Sequence, residues 1–353
     1  MTGFDLSIVI PTLDEEGNLS RLLKHLDAQS GLSLDVIVAD GGSSDGTLAA
    51  ATEAGVQVCS AGRGRGRQMN AGAQLARADD LLFLHADSSL LEPGLLAGGL
   101  EALRAAREAA GHDSIAGHFA LRFVRKDDAA AFAYRYYEAK THLNRVNTTN
   151  GDQGFLLSAR FFHDLGGFSE ELPFLEDQRL AETIRERGSW MTLPGHVHTS
   201  ARRFEEEGMA RRMILSAITM ALHSSTFPEF FESAPALYRS QSHTKRLELG
   251  KFLGFIHGTL RTKPFRERFG RWEGAGKYVR QNTWQLFFVV DVALRSIWPN
   301  KRHVMTRFHD FFVHPIMANR LFDVLTAGVV WTWFQITRAY FAVVDRRGSA
   351  RAG

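Results

Sequence analysis

The stretch LSIVIPTL (residues 6–13) decides the fold, because a short β-branched run closed by Pro11 leads directly into a helical pattern. Residues 15–29, EEGNLSRLLKHLDAQ, carry apolar side chains at helical spacing. The same alternation continues outward, with strands predicted at LDVIVAD (34–40), VQVCSA (56–61) and DLLFLHAD (80–87) and helices at TLAAATEAG (47–55) and NAGAQLARA (70–78). Strands that alternate with helices predict a mostly parallel, twisted, Rossmann-like α/β sheet flanked by helices, with ligands at the carboxyl ends of its strands.

Composition and charge divide the chain into two parts. It has 353 residues, 44% apolar and 23% charged, which indicates a globular protein. Residues 1–238 contain 22 Lys and Arg against 32 Asp and Glu, whereas residues 239–353 contain 20 against 7, an excess of 13 positive charges. We therefore predict a catalytic domain over 1–238 and a basic, aromatic-rich, mainly α-helical extension over 239–353.

The single cysteine, Cys59, excludes an intramolecular disulfide framework and a cysteine-rich zinc site. The start, MTGFDLSIVIPTLDEE, lacks the basic and apolar segments of a signal peptide. These features favour a cytoplasmic protein.

Polar segments follow the predicted strands and should meet in one crevice. Asp40, at the end of its strand, is suited to accept hydrogen bonds from a ribose or a base. The segment GRGRGRQMNAG (62–72) interleaves Arg63, Arg65 and Arg67 with glycines, which suits a diphosphate. It lacks the ending of a P-loop, and a solvated loop or a nucleic-acid contact explains the arginines equally well.

The order of several motifs resembles the family 2 glycosyltransferases of the GT-A fold. The similar segments are SIVIPTLDEE, VADGGSSDGT, Asn70-x-Gly72, a strand ending in a D-x-D-like triplet, and NGDQGFLLSARFFHDLGGFSEELPFLEDQRLAETIRERG (150–188). GRGRQMNAGA, LHAD and SARR are similar to the bacterial arsenosugar-biosynthesis, or radical-SAM-associated, subgroup. The resemblance covers about residues 5–238 and implies transfer of a sugar from a nucleotide diphosphate donor to an acceptor hydroxyl, with inversion.

The resemblance also implies roles for individual residues. Nucleotide contacts are expected from the first strand ends, and diphosphate contacts from the arginine segment and from SARR; these residues are Pro11, Thr12, Glu15, Asp40, Arg63, Arg67, Asn70, Arg202 and Arg203. Asp87 matches the carboxylate that ligates a divalent metal, Mn²⁺ or Mg²⁺, and Asp177 matches the catalytic base, with Glu176 as a substitute. On its residues alone, Asp177 suits a helix cap as well as a base.

His85 stands where the commoner pattern has an aspartate. A metal ligand, a hydrogen bond to the diphosphate or sugar, and a structural role all remain open for it. Downstream, GHVHTSARR (195–203) places His196 and His198 in what we interpret as a loop, at positions that the resemblance does not assign. We include His85 among the donor-binding residues.

The extension has to be interpreted from physics alone. Basic and aromatic residues on amphipathic helices favour an anionic membrane surface, while packing or homo-oligomerisation would bury the same aromatic faces. No zinc, KH or RNP motif supports nucleic acid as a partner. The expected partners are thus a nucleotide-sugar donor, a small-molecule or lipid-linked acceptor, the inner face of a membrane and a second copy of the chain. Two other functions stay open: a nucleotide-sugar binding protein without catalysis, and a membrane or nucleic-acid adaptor acting through the tail.

Overall fold

The structure is a computed structural model that describes residues 3–172, 174–239, 247–295 and 303–352. The chain divides into two compact units. The α/β unit comprises Met1–Ala129 and Tyr137–Ala201, and the helical unit comprises Ala130–Tyr136 and Arg202–Gly353. The domain boundary after residue 238 stays a prediction.

The α/β unit contains a sheet of 8 strands in the order β3-β2-β1-β4-β7-β6-β8-β5. The strands are β1 (Leu6–Thr12), β2 (Leu34–Asp40), β3 (Gln57–Ser60), β4 (Asp80–Phe83), β5 (Ser88–Ser89), β6 (Ile115–Val124), β7 (Phe155–Ser158) and β8 (Ser189–Ser200). The pairs β1–β2, β1–β4, β2–β3 and β6–β8 are parallel, whereas β4–β7, β6–β7 and β5–β8 are antiparallel. Strands β1 to β4 are therefore mutually parallel, and their carboxyl ends share one edge.

Helices follow most of these strands. They are α1 (Glu16–Asp27), α2 (Thr47–Glu53), α3 (Arg65–Gln74), α4 (Leu95–Ala110), α6 (Ala159–Leu165) and α7 (Glu176–Arg187), with a 3₁₀ turn at Gly151–Gln153. Helix α5 (Ala131–Thr141) contributes residues to both units. In β1, Leu6, Ile8 and Ile10 join one buried cluster while Val9 joins a second, so both faces of the strand are covered. This explains why its sequence is a continuous apolar run.

The helical unit consists of helices in its described residues. They are α8 (Arg202–Glu207), α9 (Met209–Ser224), α10 (Pro228–Arg239), α11 (Leu249–Thr262), α12 (Phe265–Gln281), α13 (Trp284–Leu294), α14 (Val304–Phe308), α15 (His314–Met317) and α16 (Arg320–Ala352), with a π-helical turn at His309–Val313. Helix α12 packs closely on α16 at Gly276, where a Cβ would lie 2.4 Å from the Asp323 carbonyl oxygen. No helix in the described part of the chain is long and apolar enough to cross a membrane.

The α/β fold with a helical carboxyl-terminal region is confirmed, and four of the seven strand pairs of its sheet are parallel. One local interpretation is wrong: His196 and His198 lie in β8 and not in a loop. Val197 between them is fully buried, so the segment alternates inward and outward as a strand does. The tail contains two apolar stretches, LFFVVDVALRSIW (286–298) and VLTAGVVWTWFQI (324–336). The first runs past the described residues at 295, and the second forms part of α16.

Candidate active site

The ends of β1 and β2 are joined side by side. Thr12 pairs with Asp40 in register, and its hydroxyl donates to the Asp40 carboxylate at 3.2 Å. Gln68, which is buried, reaches across from α3 and donates to the carbonyl oxygens of Thr12 at 2.6 Å and Ala39 at 2.9 Å. These bonds fix the two strand ends relative to the start of α3.

The Asp40 carboxylate is surrounded by donors from its own loop. Besides Thr12, it accepts the Gly42 amide at 2.8 Å, the Ser43 amide at 2.9 Å and the Ser43 hydroxyl at 2.5 Å. Burial alone would raise the pKa of Asp40, but these hydrogen bonds outweigh it and hold the pKa below its ordinary value. Asp40 is therefore an ionised anchor of the β2–α2 loop.

The loop after β1 is tied to the loop after β2. The carboxylate of Asp14, which has a φ of 54°, accepts the Ser44 amide at 2.7 Å. The Glu15 amide donates to the Thr47 hydroxyl at 2.8 Å, and the Glu15 carboxylate accepts from the Asn18 side chain at 2.6 Å. Pro11, paired with Ala39, is buried within β1, so Pro11, Thr12, Glu15 and Asp40 lie together at one edge.

Of the three arginines in the 62–72 segment, Arg65 is the one that lies near the predicted catalytic pair Glu176 and Asp177. It is the first residue of α3, and its Nη1 lies 3.7 Å from Glu176 Oε1. Desolvation opposes its charge, but attraction to Glu176, Asp152, Asp177 and Asp87 raises the pKa of Arg65 further above its ordinary value. This arginine thus marks a place where a positive group balances several carboxylates.

The other predicted residues of this segment have different contacts. Arg63 precedes α3 and is exposed, while Arg67 is half-exposed with its Nε 3.8 Å from Glu170. Asn70 accepts from the Phe168 amide at 2.9 Å and donates to the Phe168 carbonyl at 2.9 Å. A Cβ on Gly167, which has a φ of 72°, would approach the Asn70 Oδ1 to 2.7 Å. Asn70 therefore holds the Gly-Gly-Phe turn against α3.

His85 forms a pair with a residue that the sequence analysis did not single out. Its Nδ1 lies 2.8 Å from Asp152 Oδ1, and its side chain is only 13% exposed. Burial disfavours the imidazolium, but the hydrogen bond to Asp152 outweighs that cost and raises the pKa of His85. The ring also lies against Gly151, where an added Cβ would be 2.9 Å from Nε2. His85 is therefore held by the 3₁₀ turn.

The acidic pair sits at the first turn of α7. Leu175 precedes it with a φ of 69°, an unusual value for a leucine. Asp177, which is half-buried, accepts the Gly151 amide at 2.7 Å, and it lines a narrow crevice with His85. Glu176 is buried; burial and the adjacent Asp177 raise its pKa, although Arg65 counteracts them.

A divalent metal fits this site only with help from a bound ligand. Within the described residues, no group of three His, Cys, Asp or Glu side chains is arranged to hold an ion. Of the two residues predicted near the metal, His85 is already engaged by Asp152. The other, Asp87, is half-buried near Arg65 and His85 and offers its carboxylate as a ligand. Mg²⁺ is commonly held by one or two carboxylates together with substrate phosphates and water. The donor set thus suits an ion that is completed by a diphosphate.

The predicted downstream residues belong to other elements of the fold. Arg202 and Arg203 begin α8 in the helical unit, and both are exposed. His196 and His198 project from β8, and burial lowers the pKa of each. In the described residues, His196 Nε2 and His198 Nδ1 have no hydrogen-bond partner.

Three contributors were missed at the level of sequence: Gln68, Arg65 as distinct from its neighbours, and Asp152. A helix that begins at Arg65 places Arg65 and Met69 on one face, four residues apart, and Met69 lines the same crevice as Asp177. That periodicity could have selected Arg65. Asp152 lies 67 residues from His85, so no local pattern connects the two.

The amino-terminal part of the chain matches a known family. Residues 7–165 match the family described as Glycosyl transferase family 2. No curated protein matches the chain at the level required for significance.

The chain is also similar, at low identity, to several solved structures. The mannosyltransferase PcManGT from Pyrobaculum calidifontis, in complex with GDP-Man and Mn²⁺, is 16% identical, with a TM-score of 0.48 over 84% of this chain and 88% of that one. TarS 1-349 from S. aureus, in complex with UDP, is 17% identical, with a TM-score of 0.45 over 87% of this chain and 88% of that one. Glucosyl-3-phosphoglycerate synthase from Mycobacterium tuberculosis is 18% identical, with a TM-score of 0.40 over 56% of this chain and 71% of that one. These values are too low to assign a substrate.

Proposed function

We propose that the protein is a glycosyltransferase that moves a sugar from a nucleoside diphosphate donor to an acceptor hydroxyl, with inversion. The observation that carries the proposal is the position of Asp177. Its carboxylate is anchored by the Gly151 amide at 2.7 Å and lines a crevice with His85, close to Arg65. The match of residues 7–165 to Glycosyl transferase family 2 supports the same reaction class. The similarity of GRGRQMNAGA, LHAD and SARR supports the arsenosugar-biosynthesis subgroup as the finer assignment.

In this proposal the donor lies along the carboxyl edge of the parallel strands. Its base and ribose contact the loops built on Thr12, Glu15 and Asp40, with Pro11 shaping the first of them. Because Asp40 already accepts the Ser43 hydroxyl, a ribose hydroxyl would replace that bond rather than add to it. The diphosphate would be met by basic and amide side chains, which are Arg63, Arg67, Asn70, His85, Arg202 and Arg203 from the sequence, with Arg65 added by its position.

Asp177 acts as the base in the transfer step. The acceptor oxygen forms a bond to the anomeric carbon while the bond from that carbon to the diphosphate oxygen breaks. The acceptor proton passes to Asp177, and the nucleoside diphosphate leaves with the bonding electrons. Arg65 and His85 lie where positive charge would stabilise the growing charge on the leaving group. Glu176, buried beside Asp177, is the alternative base.

Asp87 would hold a divalent metal, Mn²⁺ or Mg²⁺, together with the donor diphosphate. Such an ion supplies charge neutralisation to the departing diphosphate. The chain's own share is one carboxylate at this position, with Arg65 and His85 beside it.

The compartment that goes with this function is the cytoplasm, where nucleotide sugars are the donors and the single Cys59 stays reduced. The acceptor would be a small molecule or a lipid-linked hydroxyl. The basic carboxyl-terminal region would bring the enzyme to the inner face of a membrane or pair it with a second copy.

A donor panel tests the proposal. The protein is incubated with UDP-, GDP- and dTDP-sugars in the presence of Mn²⁺, Mg²⁺ or a chelator, and release of the nucleoside diphosphate is measured together with donor binding by calorimetry. Metal-stimulated turnover of one donor is the expected result. Tight donor binding without turnover under every condition would favour a non-catalytic binding protein, and neither binding nor turnover would refute both and leave an adaptor.

A further inference from the structure

One face of α16 is exposed and carries no charge over most of its length. From Leu321 to Val343 the helix runs for about 33 Å. Every exposed residue in that stretch is uncharged, and these residues are Leu321, Leu325, Gly328, Val329, Trp331, Thr332, Trp333, Ile336, Ala339, Tyr340 and Val343. We call this surface the α16 stripe. A contiguous apolar surface of this kind marks an interaction site rather than ordinary exposure.

The opposite face of α16 is already used within the helical unit. Ala327, Phe334 and Phe341 are buried, and the buried Asp323 accepts from the Arg280 guanidinium at 2.5 Å. The close approach at Gly276 brings α12 against the same face. The helix is therefore held by one side, and the α16 stripe is the side left for another partner.

A second apolar group lies just before α16. Phe308, Phe311, Phe312 and Ile316 are all exposed, with Phe311 at 70% and Ile316 at 66%. Their spacing of three and four residues puts them on one side of the α14–α15 segment. Exposed phenylalanines at this density are costly in water, so this group points to the same kind of partner.

The aromatic residues of the α16 stripe have an interfacial character. Trp331, Trp333 and Tyr340 are 49%, 41% and 59% exposed, so each shows part of its ring to the outside. Tryptophan and tyrosine favour the boundary between water and lipid, because one end of the ring is polar and the rest is apolar.

The charge of the helical unit indicates which partner fits. All seven acidic residues of 239–353 have a basic or amide partner: Glu248 with Lys251, Glu267 with Arg271, Glu273 with Arg320, Asp291 with the Thr306 amide, Asp310 with His309, Asp323 with Arg280 and Asp345 with Arg211. Seven carboxylates can offset only seven of the 20 basic residues in this segment, so the segment keeps a positive excess. Arg346, close to the carboxyl end of the α16 stripe, is exposed, and Arg320 at the other end is 79% exposed although it pairs with Glu273.

We propose that the α16 stripe, with the Phe308–Ile316 group, seats the protein on an anionic lipid bilayer, with α16 lying in the plane of the interface. Apolar side chains would enter the boundary of the acyl chains. The basic residues would meet lipid head groups, and each basic residue near the surface would strengthen binding by about fivefold. A second copy of the chain fits less well, because it would bring the same positive excess against itself. The proposal does not depend on the transfer reaction.

Vesicle binding of the full chain tests this. Co-sedimentation is measured with vesicles of phosphatidylcholine and of phosphatidylcholine mixed with phosphatidylglycerol, at low and high salt. We expect binding to the anionic vesicles, weakened by salt, and roughly a tenfold loss or more for the double variant Val329→Glu/Ile336→Glu. The matched control is Leu75→Glu/Leu91→Glu, which adds the same charges at exposed leucines of the α/β unit and should bind as the wild type does.

A second measurement keeps the test independent of how the variant folds. In the wild-type protein, brominated acyl chains should quench tryptophan fluorescence, and Trp331→Phe/Trp333→Phe should remove most of that quenching. Equal vesicle binding by the α16 stripe variant and the control, or no quenching, would overturn the proposal. If the Val329→Glu/Ile336→Glu variant lost a dimer on gel filtration while its vesicle binding stayed unchanged, that result would also overturn the proposal, in favour of self-association.

Discussion

The two units place their charged and apolar side chains in opposite ways. In the α/β unit, apolar strands are buried on both faces, and the ionisable groups Arg65, His85 and Asp177 gather at the carboxyl edge of the sheet. In the helical unit, the carboxylates of residues 239–353 have partners, such as Asp323 with Arg280 and Glu273 with Arg320, and large apolar side chains such as Phe311 and Ile336 face outward. Clustered ionisable groups with shifted pKa values mark a site of chemistry, whereas exposed apolar side chains mark a docking surface.

The largest effect expected concerns the α/β unit alone. Asp177→Asn should lower kcat by about 10²–10⁴-fold, because the amide cannot accept the acceptor's proton. The amide oxygen can still accept the Gly151 amide, so the turn that holds His85 should persist. Steady-state kinetics with the donor identified by the panel, and vesicle binding in parallel, provide the measurement.

The control is Asp27→Asn, which removes the same charge from an exposed position near the end of α1. It should leave kcat unchanged. Full activity in Asp177→Asn would move the base to Glu176, and loss of vesicle binding in the same variant would contradict the separation of roles between the units.

The difference between the units also decides how much the sequence could predict. The strands of the parallel half were predictable because β1 and β2 are short apolar runs with polar ends, and such ends must meet at one edge of a parallel sheet. Thr12 and Asp40 are indeed hydrogen-bonded there. The family resemblance added Asp177, whose residue type alone suited a helix cap equally well.

Other parts of the site could not be predicted, because they depend on contacts between distant residues. The pairing of His85 with Asp152 is made by a turn 67 residues away, and the choice of Arg65 over Arg63 and Arg67 depends on where α3 begins. In the tail, periodicity indicates amphipathic helices but cannot tell which face is covered by α11 and α12. The α16 stripe is visible only when burial is known.

The second prediction concerns the response of the α/β unit to acid. His118 is fully buried, its Nδ1 accepts from Gln153 at 2.9 Å, and burial lowers its pKa to about 4. Between pH 6.5 and 4 the unfolded chain binds a proton at this residue that the native state does not. Its contribution to stability is therefore present above pH 6.5 and falls by about 3 kcal/mol toward pH 4.

Urea unfolding of the wild type and of His118→Gln over this pH range measures the effect. The variant should lose stability less steeply as the pH falls, whatever its stability at neutral pH. His112→Gln, at an exposed histidine, should keep the wild-type slope. Parallel slopes for all three proteins would show that His118 does not govern the acid response.

The third prediction addresses how α16 is held. Gly276→Ala should destabilise the helical unit by about 1–3 kcal/mol, because the new methyl would lie 2.4 Å from the Asp323 carbonyl and 2.5 Å from the Ala327 amide nitrogen. Gly328→Ala is the matched control, since nothing lies within 4 Å of a Cβ there. Alanine is the better helix former, so the control should be neutral or slightly stabilised in thermal unfolding. Equal effects of the two substitutions would mean that α12 and α16 do not pack as described.

The smallest effect expected tests whether the helical unit responds to acid in a lower pH range than the α/β unit. Hydrogen bonds from Arg271 and Lys263 lower the pKa of Glu229 to about 2. Its stabilisation, about 1–2 kcal/mol, should be complete above its unfolded pKa of 4.5 and fade as the pH falls toward 2. Glu229→Gln should therefore cost stability at pH 7 and progressively less below pH 4.5, whereas Glu232→Gln, at an exposed neighbour, should cost little at any pH. A cost for Glu229→Gln that stays constant with pH would assign the effect to packing of the side chain and not to its charge.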